Sequence, residues 1–238
     1  MHLRLRLNLR GDTVSIFRNV DATCPECGAT VSATVYASIN ADRAPELRQA
    51  ILDRTLQAMA CPNCDTPLLT DPSFSYVDLE RGQWLLVKPM ASLPQWSELE
   101  AEALRLFESA YGSEAPPAAR RLGDGMRARI AFGWAAAREK ILCQSQDIDD
   151  VALELVKLTL LRNATSIDLT RNADLRLIDA DADTLTIGWL RDDVLDATLE
   201  VPRALLEAVT TPDWQEAVTA VTAGPYVDIN RILVPNPA

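Results

Sequence analysis

Histidine is almost missing from this 238-residue chain, whose only one is His2. Serine and cysteine triads depend on a histidine base, and mixed metal sites usually take imidazole beside carboxylates. His2 lies near a chain end that is expected to fray, so neither kind of site has a good candidate. The residues therefore indicate no catalytic group and no group that binds an organic cofactor. They favour a non-catalytic protein over an enzyme without deciding between them.

Long apolar segments are absent as well. No window approaches the roughly 18 apolar residues that a membrane span needs. The N-terminus alternates leucine with arginine, whereas a signal peptide needs an uninterrupted apolar stretch. We therefore predict a cytoplasmic protein with no membrane contact.

Basic residues are outnumbered, with 23 lysines and arginines against 34 acidic residues and a net charge of −11. Most of the acidic excess follows residue 160. Because phosphate binding needs the opposite sign, this balance disfavours a nucleic-acid binder. The local basic cluster of Arg120, Arg121, Arg127 and Arg129 is interpreted as a solvated helix face. The acidic C-terminal region is expected to offer a surface to another protein, and association with a second copy stays open.

Cysteine, by contrast, is concentrated in two knuckles of the form Cys-Pro-X-Cys. Two such pairs at this separation suit one tetrahedral site, because each tight turn presents two sulfurs and the intervening segment brings the turns together. Four thiolates fill the coordination sphere, so the predicted zinc ion is structural. Gly28 and Asp65 follow the knuckles, where a left-handed backbone is often required. The predicted ligands of this single zinc ion are Cys24, Cys27, Cys61 and Cys64.

The cysteines have two other conceivable roles, as a redox dithiol or as structural disulfides. A redox dithiol usually occurs singly near a βαβ pattern, and here two copies flank a segment without that pattern. Structural disulfides would need an oxidising compartment, for which there is no export signal. The fifth cysteine, Cys143, is interpreted as a buried structural thiol at the end of an apolar helix.

The hydrophobic pattern predicts an α+β fold: a zinc-ribbon-like β domain with an inserted helix over residues 1–94, then a helical and mixed α/β region over residues 95–238. The pattern predicts a hairpin formed by Leu3 to Leu9 and Val14 to Phe17. A capping box at Ser97 and Glu100 predicts the start of a helix. Further strands are expected over 30–36, 74–79, 83–87, 175–178, 184–189 and 226–234, and helices within 43–56, over 97–110, 126–142 and 150–162, and after Pro202 and Pro212.

From Thr23 to Pro89 the sequence resembles the CpXC family of uncharacterised bacterial and archaeal proteins. Besides the cysteines, the similarity includes residues 35–40 with Pro45-Glu46-Leu47, and longer members share the helical stretches 138–142 and 149–155. Asp65 stands where the family usually has glycine. The resemblance implies zinc ligation by the four knuckle cysteines and implies no reaction.

These observations lead to one functional hypothesis and one main alternative, with nucleic-acid binding through the nearly neutral cysteine region as a third possibility. The hypothesis is a zinc-binding protein of the prokaryotic cytoplasm that serves as a non-catalytic interaction or adaptor module. The alternative is a thiol-based redox sensor or enzyme that uses the CxxC pairs directly.

Overall fold

The computed structural model describes residues 15–163, 173–191 and 194–233, and these contain both strands and helices, as the predicted α+β class requires. The predicted strand at Leu3 to Leu9 lies outside the described residues. The strands are β1 (Ser15–Thr23), β2 (Thr30–Asn40), β3 (Ala58–Ala60), β4 (Pro67–Leu69), β5 (Phe74–Asp78), β6 (Gln83–Lys88), β7 (Arg127–Phe132), β8 (Ala173–Ala180), β9 (Thr184–Arg191) and β10 (Val194–Pro202).

The helices lie mainly in the middle of the chain, with shorter ones after β10. Two 3-10 helices accompany them, at Met90–Gln95 and Pro212–Trp214. The α-helices are α1 (Pro45–Leu52), α2 (Trp96–Tyr111), α3 (Pro117–Gly123), α4 (Gly133–Ser145), α5 (Asp150–Asn163), α6 (Leu205–Ala208), α7 (Gln215–Val221) and α8 (Asn230–Leu233).

A five-stranded sheet with the order β1-β2-β5-β6-β7 forms the first layer. Its strand pairs alternate between antiparallel and parallel, since β1 and β2 form a hairpin, β5 and β6 form another, and β7 joins β6 in parallel. The predicted hairpin of β5 and β6 is confirmed. Residue 94, the predicted domain boundary, falls between β6 and β7 of this one sheet. The division into two parts stays a prediction.

The predicted helix over residues 126–142 is wrong in its first half, which is β7. Ile130, Ala131 and Phe132 are buried where β7 lies beside β6, and this non-local pairing outweighs the local helical pattern. Arg127 and Arg129 therefore lie on a strand and not on a solvated helix face, whereas Arg120 and Arg121 are exposed on α3. The helix begins only at Gly133, as α4.

The predicted capping box of α2 is also not formed. The helix begins at Trp96 with Gln95 as its N-cap, and no side chain caps it. The Glu100 carboxylate instead accepts the backbone N–H of Tyr226 at 2.9 Å and bonds to Arg231. Glu100 thus ties α2 to the C-terminal part of the chain.

The second sheet is antiparallel, with the order β10-β9-β8. The predicted hairpin of β8 and β9 is confirmed. Pro202 itself ends β10, and the short helix predicted after it begins at Leu205 as α6. The predicted strand over 226–234 is wrong, because Asn230–Leu233 is a helical turn. Asp228 accepts the Asn230 backbone N–H at 2.8 Å, which favours a turn at this point.

Helix α4 lies between the two sheets and contributes to the core of each. Trp134 and Ile141 pack with Tyr76 and Leu85 of the first sheet. Cys143, buried as predicted, packs with α5 and with the second sheet. No helix among the described residues combines the length and apolar character that crossing a membrane requires.

Candidate metal centre

Each cysteine knuckle is the turn of a β-hairpin. The first connects β1 to β2, and the second connects β3 to β4. In the first, Cys24 N–H donates to the Ala29 carbonyl at 2.9 Å, and in the second, Cys61 N–H donates to the Thr66 carbonyl at 2.8 Å. A second hydrogen bond is also common to both knuckles. Gly28 N–H donates to the Cys24 carbonyl at 3.0 Å, and Asp65 N–H donates to the Cys61 carbonyl at 2.8 Å. The two knuckles are therefore copies of one turn.

Both knuckles end in a left-handed residue, as the sequence predicts. Gly28 has φ of 72° and Asp65 has φ of 57°. Glycine adopts this conformation freely, whereas a side chain is disfavoured there by about 1–2 kcal/mol, least so for Asn and Asp. Asp65 thus keeps the turn that glycine makes in the first knuckle.

Replacing Gly28 with alanine is expected to lower the free energy of unfolding by about 1–2 kcal/mol. A Cβ at this position would meet no atom within 4 Å, so the cost comes from φ alone. Gly125→Ala is the matched control, since it also has open space and its φ is not in the left-handed region. Urea denaturation of both variants measures the difference, and equal stabilities would contradict the assignment of strain to φ.

The four sulfurs converge on one point. Sγ of Cys24 lies 3.7 Å from Sγ of Cys64, and Sγ of Cys27 lies 3.7 Å from Sγ of Cys61. All four sulfurs lie within 4.8 Å of one another. A tetrahedral ion with metal–sulfur bonds of about 2.3 Å holds its sulfurs about 3.8 Å apart, whereas a disulfide needs about 2.05 Å. The spacing fits a metal ion, and the cysteines are free thiols.

Hydrogen bonds stabilise the thiolate form of two of the cysteines. The Asn63 side chain, helped by the Ala29 backbone, lowers the pKa of Cys27 to about 6. The Thr66 hydroxyl, 3.1 Å from Sγ, lowers the pKa of Cys64. The Asn63 backbone N–H lowers the pKa of Cys61, but desolvation and the bonds shared with Cys27 and Cys64 raise it to about 11. A cation at the centre would displace the remaining protons.

One side of the centre is packed and the other faces solvent. Cys24 and Cys61 are buried against Val31, with Met59 and Leu68 partly buried beside them. Cys27 and Cys64 are exposed. A metal held here would be protected by protein on its inner side only, and its four thiolates would leave it no position for a substrate.

Gln57 attaches the second knuckle to the first sheet. Its side-chain oxygen accepts the Tyr36 backbone N–H at 2.9 Å, and its amide donates to the Thr70 hydroxyl at 2.7 Å. Trp134 donates to the Thr70 carbonyl at 2.8 Å. The β3-β4 hairpin is therefore held at its base by Gln57 and Trp134, and a metal would hold it at its tip.

A second group of interacting polar side chains was not predicted from the sequence. Five carboxylates and four cations form a connected set of ion pairs between α4, α5, β7, β8 and the segment before α8. The sequence carries one signal of it, which is a glutamate and a lysine three residues apart on the apolar α5. The members of this ionic network are Arg129, Glu139, Lys140, Asp150, Glu154, Lys157, Asp174, Arg176 and Asp228.

Lys157 and Glu139 are the centre of the ionic network, and both are fully buried. Lys157 Nζ lies 2.6 Å from Glu139 and 3.1 Å from Glu154, while Arg176 donates to Glu139 at 3.0 Å and to Asp228 at 2.6 Å. Burial opposes the charged form of Lys157, but the two glutamates outweigh it and raise its pKa. Lys157 is therefore charged and is paired within the network.

Three carboxylates of the ionic network, Glu139, Glu154 and Asp228, are close enough to share a metal ion. The side chains of Lys157 and Arg176 already supply the positive charge at these carboxylates. Backbone N–H groups of Leu177 and Ile229 occupy further lone pairs, at 2.6 and 3.0 Å. The arrangement is a structural set of ion pairs, and the cysteines are the better metal centre.

Comparison with protein families bears on both groups. A family model described as CpXC protein matches residues 22–157, which are more than half of the chain. The chain belongs to the CpXC family. No curated protein and no solved structure matches it.

The CpXC region contains both knuckles and six members of the ionic network. The region ends at Lys157, within α5. Asp174, Arg176 and Asp228 complete the network from outside the matched CpXC region. The residues that follow the CpXC region therefore pack into its interior.

Proposed function

We propose that the four knuckle cysteines hold one structural Zn²⁺ that cross-links the two hairpins into a zinc-ribbon-like module. The observation that supports this most is the 3.7 Å separation in two of the four cross-knuckle pairs of sulfurs, which matches a tetrahedral site. Thiolates select soft or borderline metals, of which zinc has no redox activity of its own. The residues that would bind it are Cys24, Cys27, Cys61 and Cys64.

The zinc proposal is tested by native mass spectrometry before and after chelation. We expect one zinc ion per chain, lost from Cys27→Ser and kept by Cys143→Ser, because Cys143 is buried away from the knuckles. The exposed cysteines should react with a thiol reagent only after the metal is removed. A metal-free chain whose knuckle thiols pair under mild oxidation would overturn the proposal and favour the redox alternative.

A closed zinc site supplies structure and no reaction, so the role we propose for the protein is that of a non-catalytic interaction or adaptor module in the cytoplasm. The acidic excess after residue 160 supports a protein partner over a nucleic acid. This acidic part of the chain includes the second sheet.

A further inference from the structure

Strand β10 is the outer strand of the second sheet, and among the described residues no strand pairs with its free edge. Eight of its nine residues are exposed. The exposed residues include Val194 and Leu199, with 68% and 48% of their surface accessible. Proteins usually shorten, charge or cover such an edge, because its unpaired backbone groups recruit other strands.

Among the residues that the structure describes, a mostly apolar cavity of about 460 Å³ opens beside this edge, between β10 and the C-terminal end of α5. Its volume is in the range of sites that bind small ligands or inserted side chains. Ala197, Thr198 and Leu199 of β10 line the cavity, together with Trp189 of β9 and Leu160 of α5. A strand added along β10 would place every second side chain over this face.

The charges on β10 restrict what such a strand can be. The strand carries Glu200 and Asp196, of which Asp196 is paired with Arg191 of β9 at 3.2 Å, and it has no basic residue of its own. An added strand that alternates apolar residues with basic ones would fill the cavity on one face and place a basic group beside Glu200.

The N-terminus of this chain has that pattern. Leu3, Leu5, Leu7 and Leu9 alternate with polar residues that include Arg4, Arg6 and Arg10, and there is no acidic residue before Asp12. Residues 1–14 lie outside the described part of the structure. An eight-residue strand is about 26 Å long, which is similar to the length of β10.

We propose that residues 3–10 of a second copy add as a strand to β10, with leucines entering the cavity and arginines beside the acidic edge. A reciprocal exchange between two copies would pair both β10 edges and close around a two-fold axis. This inference rests on the proposed interaction role and identifies β10 as the surface that serves it. It does not depend on the metal.

The oligomeric state of the full chain tests the proposal. In sedimentation experiments the protein should be a dimer, and Leu5→Asp/Leu7→Asp should weaken the dimer by roughly tenfold or more. Leu199→Asp should have the same effect, because it puts a charge into the cavity. Leu122→Asp is the matched control, since Leu122 on α3 is 50% exposed and does not line the cavity. Zinc content, measured on the same samples, should not change.

Binding of a synthetic peptide is the second test of the proposal. A synthetic peptide of residues 2–11 should bind the full-length Leu5→Asp/Leu7→Asp variant and change the fluorescence of Trp189, assigned with Trp189→Phe. A peptide of the same composition with its leucines grouped together should bind at least roughly tenfold more weakly. A monomeric full chain would overturn the proposal and favour the hairpin with β1 of the same chain. Equal binding of both peptides would overturn it as well.

Discussion

Replacing Lys157 with methionine is expected to lower the free energy of unfolding by about 3–5 kcal/mol. Methionine fills a similar volume but removes the ammonium that Glu139 and Glu154 share. Glu139 then keeps Arg176 and Glu154 keeps Lys140, so the five carboxylates of the ionic network are left with three cations. Both glutamates are fully buried, so water cannot replace the lost charge. Removing one partner of a buried ion pair is far more costly than removing an exposed one, because an uncompensated charge stays in the interior.

Lys88→Met is the matched control for this prediction. Lys88 makes a single ion pair of 2.9 Å with Glu102, and the two side chains are 19% and 37% exposed. A pair of this kind contributes about 0–1 kcal/mol. Urea denaturation, followed by far-ultraviolet circular dichroism, gives both free energies. If the two variants lost the same stability, the ionic network would not be the stabilising element that its geometry indicates.

Removing the metal is expected to release the β3-β4 hairpin. Each of its strands has only three residues, and an isolated two-stranded hairpin of this length is not stable in water. Structural zinc can contribute on the order of 10 kcal/mol or more to a small metal-dependent unit. Hydrogen exchange should therefore become fast over residues 58–69 after chelation or in Cys61→Ser. Residues 83–88 should stay protected, because β6 is an inner strand of the first sheet.

The control for the metal prediction is Cys143→Ser, which changes a buried thiol outside the knuckles. It should bind zinc and keep slow exchange over residues 58–69. Protection of residues 58–69 that is the same with and without metal would contradict a structural role for the ion.

The part of the fold that the sequence predicts is the local part. Alternation identifies β5 and β9, and helical spacing identifies α2, because in these segments the apolar residues repeat with the period of the element. The strand β6 and the helix α5 are buried on most sides, and a continuous apolar run identifies each of them. The four cysteines are identified for a similar reason. Their spacing within each knuckle is set by a single turn, and the structure brings all four together.

The features that sequence reasoning missed depend on distant residues. Residues 127–132 form a strand because they pair with the edge of β6, and the sequence of this segment carries no information about that pairing. Arg129 was expected in solvent, but it makes a two-pronged bond to Asp150 at 2.8 and 3.1 Å. Charged residues are usually exposed, so a sequence pattern predicts them to lie on the surface. A buried network of charged residues can be recognised only from a structure that shows which residues are partners.

The ionic network also sets an order in which the chain can complete its fold during synthesis. Glu139 and Glu154 leave the ribosome on α4 and α5 well before Arg176 and Asp228, which supply or balance the neighbouring charges. Until those residues arrive, closing the core around α4 would bury carboxylates with only part of their compensation. The first sheet can assemble early, but the packing of α4 against the second sheet must wait for the later residues. A nascent chain stalled after α5 should therefore be more sensitive to proteases around α4 than the finished protein.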